Sequence, residues 1–237
     1  EVLSKSFRGH SAHDVFRAVH LLKKKNFKVG VQLMPGLPGD TRAKSINGSI
    51  ILAKMEPDLA RIYPTLVLKD TPLHKLFLEE KYSPLSLDDA VEVSRDMLAV
   101  FINHGVNVIR IGLQPTKDIA EGVRVIAGPF HPAFGELVKA TLFREQMVWA
   151  VTHLFQRGTL LKKISLFVSQ RDCSLAAGHK RDNLHYLKES FSLDEIKIIA
   201  RKELSRGDLG VASLEKEDPD LVVPGKQFIS FYADQLM

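Results

Sequence analysis

Cysteine is almost absent: the 237 residues contain one, Cys173. A lone cysteine permits no internal disulfide and no thiolate cluster, so neither a disulfide scaffold nor a self-contained cysteine metal site organises this chain. Long hydrophobic runs are missing as well. No apolar stretch approaches the roughly 18 residues that a membrane-spanning helix needs. The first residues, Glu1 to Lys5, lack the apolar segment of a secretory signal. Charge of one sign is not concentrated either. The net charge is +5 and the pI about 9.2. The excess leans toward residues 139–216 but falls short of the basic clusters of a dedicated nucleic-acid binder. The single cysteine fits a reducing cytoplasm, the expected location. The chain begins at Glu1 rather than at methionine, which reads as a segment of a longer protein.

What is present is a globular composition, 45% hydrophobic and 26% charged, with room for two subdomains. Ser11 and Asp14 form a capping-box pattern ahead of Val15, Ala18, Val19 and Leu22 at helical spacing. Residues 28–34 then read as a strand that ends at Pro35. Residues 45–55 read as a helix and 60–68 as a strand that Pro64 weakens. A short helix is expected over 74–81. Ser86 and Asp89 open a third helix that ends near Gly105, and 106–113 read as a strand with Ile109, Ile111 and Leu113 on one face and Arg110 on the other. Helix–strand alternation over residues 10–116 predicts a parallel α/β sheet, with function in the loops 34–40, 69–72 and 114–117 at the strand C-terminal ends. After a turn-rich stretch over 127–137 the pattern changes. A helix is expected over 137–158, strands over 163–169, 195–201 and 227–232, and a helix over 180–191.

The stretch Met34-Pro35-Gly36-Leu37-Pro38-Gly39-Asp40 is the most informative. Its glycines admit a close backbone approach and its prolines stiffen the loop. Taken with Arg8-Gly9-His10, Arg61-Ile62-Tyr63-Pro64, Arg110-Ile111-Gly112-Leu113-Gln114-Pro115, the run from Gly128 to Leu137, and Gly178 to Asn183, it resembles a radical S-adenosylmethionine (SAM) enzyme. The resemblance is to the Elongator-subunit-3-like branch, which lies near the oxygen-independent coproporphyrinogen oxidases. It implies that residues 1–126 are the later portion of a partial (β/α) TIM-type barrel and residues 127–237 a C-terminal α+β extension. The family's CxxxCxxC loop is absent. The resemblance therefore implies SAM and a [4Fe–4S] cluster in a full-length protein, no metal held by this chain, and no cofactor bound to it alone.

The same resemblance supplies candidate residues. Arg8, Gln32, Met34, Pro35, Gly36 and Leu37 would face SAM, with the loop backbone along the adenine. Arg61, Arg110 and Gln114 would contact substrate, either tRNA or a small molecule. Each has an ordinary alternative. Gln32 suits a solvent-facing strand position, Arg110 a structural ion pair, and His10 a helix cap. His131, His179, Lys180 and Arg181 suit RNA phosphates or plain surface roles, and Cys173 a small packing residue. Two other classes stay open: a non-catalytic RNA-binding module, and a cluster-free (β/α)-barrel metabolic enzyme.

Overall fold

The computed structural model describes residues 1–114, 124–156 and 161–236. They fall into two compact units that divide after Gly135. The first unit begins with a short helix α1 (Val2–Lys5) and with α2 (Ala12–Lys24). The Ser11 side chain accepts the Asp14 N–H and the Asp14 carboxylate accepts the Ser11 N–H, so the predicted capping box is reciprocal. Strand β1 (Gly30–Leu33) leads into α3 (Arg42–Ala53), capped by Thr41 rather than starting at residue 45. Then come β2 (Leu59–Ile62), β3 (Val67–Leu68), α4 (Pro72–Leu78), α5 (Leu87–Asn103), β4 (Asn107–Ile111) and β5 (Val125–Ala127).

The order β1-β2-β4 forms a parallel sheet, as the alternation predicts. The expected single strand over 60–68 is in fact two. Pro64 has no N–H for the ladder. The chain bends there, Thr65 donates its N–H to the Pro35 carbonyl, and β3 pairs antiparallel with β5. The predicted helix over 74–81 starts earlier, because Thr71 caps it and Pro72 occupies its first turn.

One face of the sheet is buried. Val31, Ala60 and Ile62 on the strands, with nearly every residue of α5 from Ala90 to Phe101, form the core of this unit. Inside it lies an ionic knot. Asp96, fully buried on α5, accepts from Arg42 Nε and Nη2 at 2.8 and 2.6 Å and from Arg95 Nε at 3.0 Å. Arg42 also reaches Glu92 at 3.2 Å. This knot fastens α3 to α5, the two helices that cover the sheet.

The second unit contains most of α6 (Phe134–Gln156). It continues with β6 (Lys163–Val168), α7 (Cys173–Ala177), α8 (Asp182–Phe191), β7 (Glu195–Ala200), β8 (Leu209–Ser213), β9 (Leu221–Val223) and α9 (Gly225–Asp234). Its sheet runs in the order β7-β6-β8-β9, with β6 and β7 parallel and the other pairs antiparallel. Two readings need correction. Residues 227–232 are helical, not extended: Phe228 and Tyr232, four residues apart, share a helix face, and the Phe228 N–H returns to the Pro224 carbonyl. Strands β8 and β9 were not predicted. The expected end of the long helix at 158 lies outside the described residues.

Buried amides stitch this unit together. Asn183 donates to the carbonyls of Ala140 and Leu175, and Gln146 donates to those of Gly207 and Val223. Among the described residues no helix is long and apolar enough to cross a membrane.

Asp96→Ala should destabilise the first unit by about 3–5 kcal/mol, because it removes the buried carboxylate that accepts from both Arg42 and Arg95. Urea denaturation of variant and parent chains checks this, and a cost below about 1 kcal/mol would show that the knot is dispensable.

Candidate functional site

The loop after β1 is held by its own last residue. Asp40 accepts the Gly36 N–H at 2.9 Å, the Ser45 hydroxyl at 2.6 Å and the Thr41 N–H at 2.8 Å. Its backbone N–H in turn donates to the Leu37 carbonyl. The Tyr82 hydroxyl reaches across from the segment before α5 and donates to the Gly36 carbonyl at 2.6 Å. Tyr82 is only 9% exposed. Burial, and secondly the charge of Asp40, push its phenol from 10.0 up to about 12. Gly36 sits at φ 85°, and a Cβ there would meet Leu85 at 2.9 Å. Its two polar backbone groups are both engaged inside the protein, so its close approach is to Leu85 and Tyr82.

The backbone left for a ligand lies one step earlier. The carbonyls of Val29 and Leu33 face β2. By strand alternation the backbone groups of Gly30, Gln32 and Met34 face the other edge of β1, which pairs with no strand among the described residues. A groove of about 530 Å³ opens along that edge. Val15, Phe16, Val19 and Leu22 of α2 line one wall, and Gly48, Ile51 and Leu52 of α3 the other. Phe16 and Ile51 remain 41% and 39% exposed. Arg8 and Gln32 supply polar groups at its rim, beside Met34 and Leu37. Arg8 Nη2 lies 3.2 Å from the Met34 sulfur. His10 is turned onto the Arg8 carbonyl at 2.9 Å.

The candidate substrate residues meet on the exposed sheet face. Gln32 is in register with Arg61, and Arg61 with Arg110, so the three form one row across β1, β2 and β4. All three are exposed, whereas Ile62, the next residue after Arg61, is fully buried. A bulge makes this row. Ala60 pairs with Val108 but Arg61 pairs with Arg110, so Ile109 is the extra residue. Without it Arg61 would stand opposite Ile109, and Arg110 would fall on the other side of the pleat. The expected simple alternation, with Ile109, Ile111 and Leu113 on one face and Arg110 on the other, is broken by the same bulge, and Ile109 is 46% exposed. Among the described residues no carboxylate lies within ion-pair distance of Arg61 or Arg110. Gln114 follows β4 and is exposed, and the remainder of the loop 114–117 lies outside the described residues.

The other candidates make local contacts of their own. His131 accepts the Ala133 N–H at 3.1 Å in a local turn. Cys173, His179, Lys180 and Arg181 belong to the second unit, where the Cys173 thiol lies 3.7 Å from the Ser169 carbonyl. Among the described residues no three His, Cys, Asp or Glu side chains gather at metal-binding distance. One thiol cannot supply the three thiolates of a [4Fe–4S] site, so the residues here do not fit that cluster. They do fit SAM: an apolar groove, an unpaired strand edge, an amide and a guanidinium suit a purine ribonucleoside that carries a carboxylate.

Residues 57–144 match the radical SAM C-terminal domain family. Over 96 residues the chain is 34% identical to the tRNA uridine(34) acetyltransferase of Methanocaldococcus infernus, an alignment covering 39% of this chain and 18% of that protein. Over 144 residues it is 36% identical to the enzyme of the same name from Dehalococcoides mccartyi, covering 52% and 29%. Human Elongator complex protein 3 is 33% identical over 96 residues, covering 39% and 18%. Among solved structures, the archaeal Elp3 of M. infernus with an N-terminal deletion superposes with a TM-score of 0.54 at 27% identity, covering 61% of this chain and 33% of that one. These matches fall in the radical SAM superfamily. Within it they fall in the Elongator-subunit-3-like branch, which the sequence resembles. The chain spans only 18% of the length of the first of these relatives.

Ultraviolet titration should show one tyrosine ionising near pH 12, against 10.0 for an ordinary phenol, and Tyr82→Phe should remove that step. Because the folded-state pKa is raised, the corresponding stability is complete below the unfolded pKa and is lost as pH rises from about 10 to about 12. Tyr82→Phe should also cost about 1 kcal/mol at neutral pH, since the Gly36 carbonyl loses its donor. A titration unchanged by the substitution would contradict this arrangement.

Proposed function

We propose that this chain is the later part of a radical SAM protein: residues 1–126 belong to a partial (β/α) barrel and residues 127–237 form its C-terminal α+β extension. The full-length protein reductively cleaves SAM and abstracts hydrogen from a tRNA substrate in the cytoplasm. The observation that carries this reading is the open edge of β1. A parallel strand with unpaired backbone, flanked by apolar walls and followed by a pinned loop, suits both a preceding barrel strand and the nucleoside of SAM. The match over residues 57–144 supports the family. The names of the tRNA-modifying relatives support the substrate class.

The cluster and the thiolates that hold it would belong to earlier strands. SAM, when bound, supplies the radical chemistry. The residues of this chain bind and orient it. Gln32 would hydrogen-bond the ribose or carboxylate, Arg8 would pair with the carboxylate, and the Met34 backbone with Leu37 would border the adenine. Pro35 and Gly36 keep that border rigid through Asp40 and Tyr82. The apolar groove excludes water from the cofactor. Arg61, Arg110 and Gln114 face the substrate.

Anaerobic iron–sulfide reconstitution of the full-length protein tests the proposal. Cluster absorbance and reductive formation of 5′-deoxyadenosine from SAM are expected. Arg8→Ala and Gln32→Ala should each weaken SAM binding by roughly tenfold with unchanged thermal unfolding, since both side chains are exposed. A protein that assembles no cluster, or that assembles one and leaves SAM intact, overturns the reading.

A further inference from the structure

We infer that Arg61 and Arg110 together form a receptor for a phosphate group, and that the phosphate belongs to an RNA backbone. The RNA assignment rests on the function proposed above, but the phosphate chemistry does not.

Two guanidinium groups occupy paired positions on adjacent strands, whose backbones are about 4.8 Å apart in a sheet. Like charges opposite one another destabilise a sheet, and a carboxylate is the usual neighbour that relieves them. None does so here among the described residues. The positions flanking this row on the same face are Gly30, Leu59 and Asn107 on one side, and Met34, Tyr63 and Gly112 on the other. They include no acid. A third guanidinium, that of Arg8, lies against Met34 at the end of this face. Two backbone features thus serve to keep positive charge together. The bulge at Ile109 turns Arg110 onto the face of Arg61, and the sheet offers it no internal partner.

Ligand stoichiometry selects phosphate over carboxylate. A carboxylate has two oxygens, and one arginine fork satisfies both. A phosphodiester carries its two free oxygens on a tetrahedral phosphorus, and a terminal phosphate carries three. Two adjacent forks can therefore approach a phosphate from different sides, whereas a planar carboxylate offers both oxygens to a single fork.

The test needs neither iron nor SAM, so it succeeds or fails independently of the radical reading. The 237-residue chain is titrated into a fluorescently labelled tRNA anticodon stem–loop across a range of salt concentrations. The variants are Arg61→Gln/Arg110→Gln, Arg61→Lys/Arg110→Lys, and Lys197→Gln/Lys202→Gln as a charge-matched control in the other unit. The glutamine pair should weaken binding by at least roughly tenfold and reduce the salt slope by about 2. The lysine pair should retain most of the slope but not the affinity, because it keeps charge and loses the fork. Inorganic phosphate should compete where acetate at equal ionic strength does not. Equal losses for the glutamine pair and the control, or equal competition by acetate, would overturn the receptor. Phosphate binding that depends on Arg61 and Arg110, with no RNA binding at all, would overturn the RNA assignment and identify a small phosphorylated substrate instead.

Discussion

The carboxylate of Asp40 is the constraint on which the candidate site depends. It closes a short circuit: Gly36 N–H, Ser45 hydroxyl and Thr41 N–H all converge on one side chain. That circuit fixes both ends of the turn from β1 into α3. The direction of Met34 is then set by the loop behind it, and so is the start of α3, whose first residue Arg42 carries the buried ion pair to Asp96. One local carboxylate therefore links the loop to the helix, and the helix to the core. The Tyr82 hydroxyl secures the same loop from the opposite side. A loop held from two sides, with its central glycine fully hydrogen-bonded, is preorganised and needs little ordering when a ligand arrives.

The sheet shows the complementary principle. One face is dry and covered by α3 and α5, and its residues are selected for packing. The other presents Gln32, Arg61 and Arg110, none of which the fold requires. A residue that contributes nothing to the core and sits on a rigid strand is positioned at no cost in flexibility. The bulge at Ile109 separates the two functions. It shifts the register by one after Val108, so Arg110 joins the exposed row while Ile111 remains paired with Ile62.

Local chemistry was legible in the sequence, and distant chemistry was not. The caps at Ser11 and Ser86 were readable because each is closed within three residues. The parallel sheet was readable because helix and strand periods alternate over a long stretch. Pro64 announced an interruption, though not that β3 would leave the sheet to pair with β5. The strands β8 and β9 were missed because Leu209-Gly210-Val211-Ala212 is buried almost uniformly and shows no alternation. Gly210 in their midst is there because a Cβ would meet Pro219 at 2.9 Å. Residues 227–232 misled because six mostly apolar residues fit either period, and only the turn at Pro224 and Gly225 settles the matter. At the site, the candidate residues were nameable from a resemblance, but their arrangement was not. The partnership of Tyr82 with Gly36 spans 46 residues, and the Arg61–Arg110 row depends on a bulge that no local pattern encodes.

The two arginines also bear on why the sheet is built as it is. If the row served stability, an acid on a neighbouring position would be the simplest improvement, and the exposed face offers several positions for one. Gly30, Asn107, Met34 and Tyr63 all adjoin the row, and none is acidic. An exposed ion pair there would add at most about 1 kcal/mol. It would also neutralise a row of cations that attracts an anion to this face. The structure thus gives up a small stabilisation and keeps an unmatched charge next to a rigid loop and an apolar groove. That combination, a cation row beside an apolar groove, is what the proposed function would use to hold the charged end of a substrate apart from the reacting end.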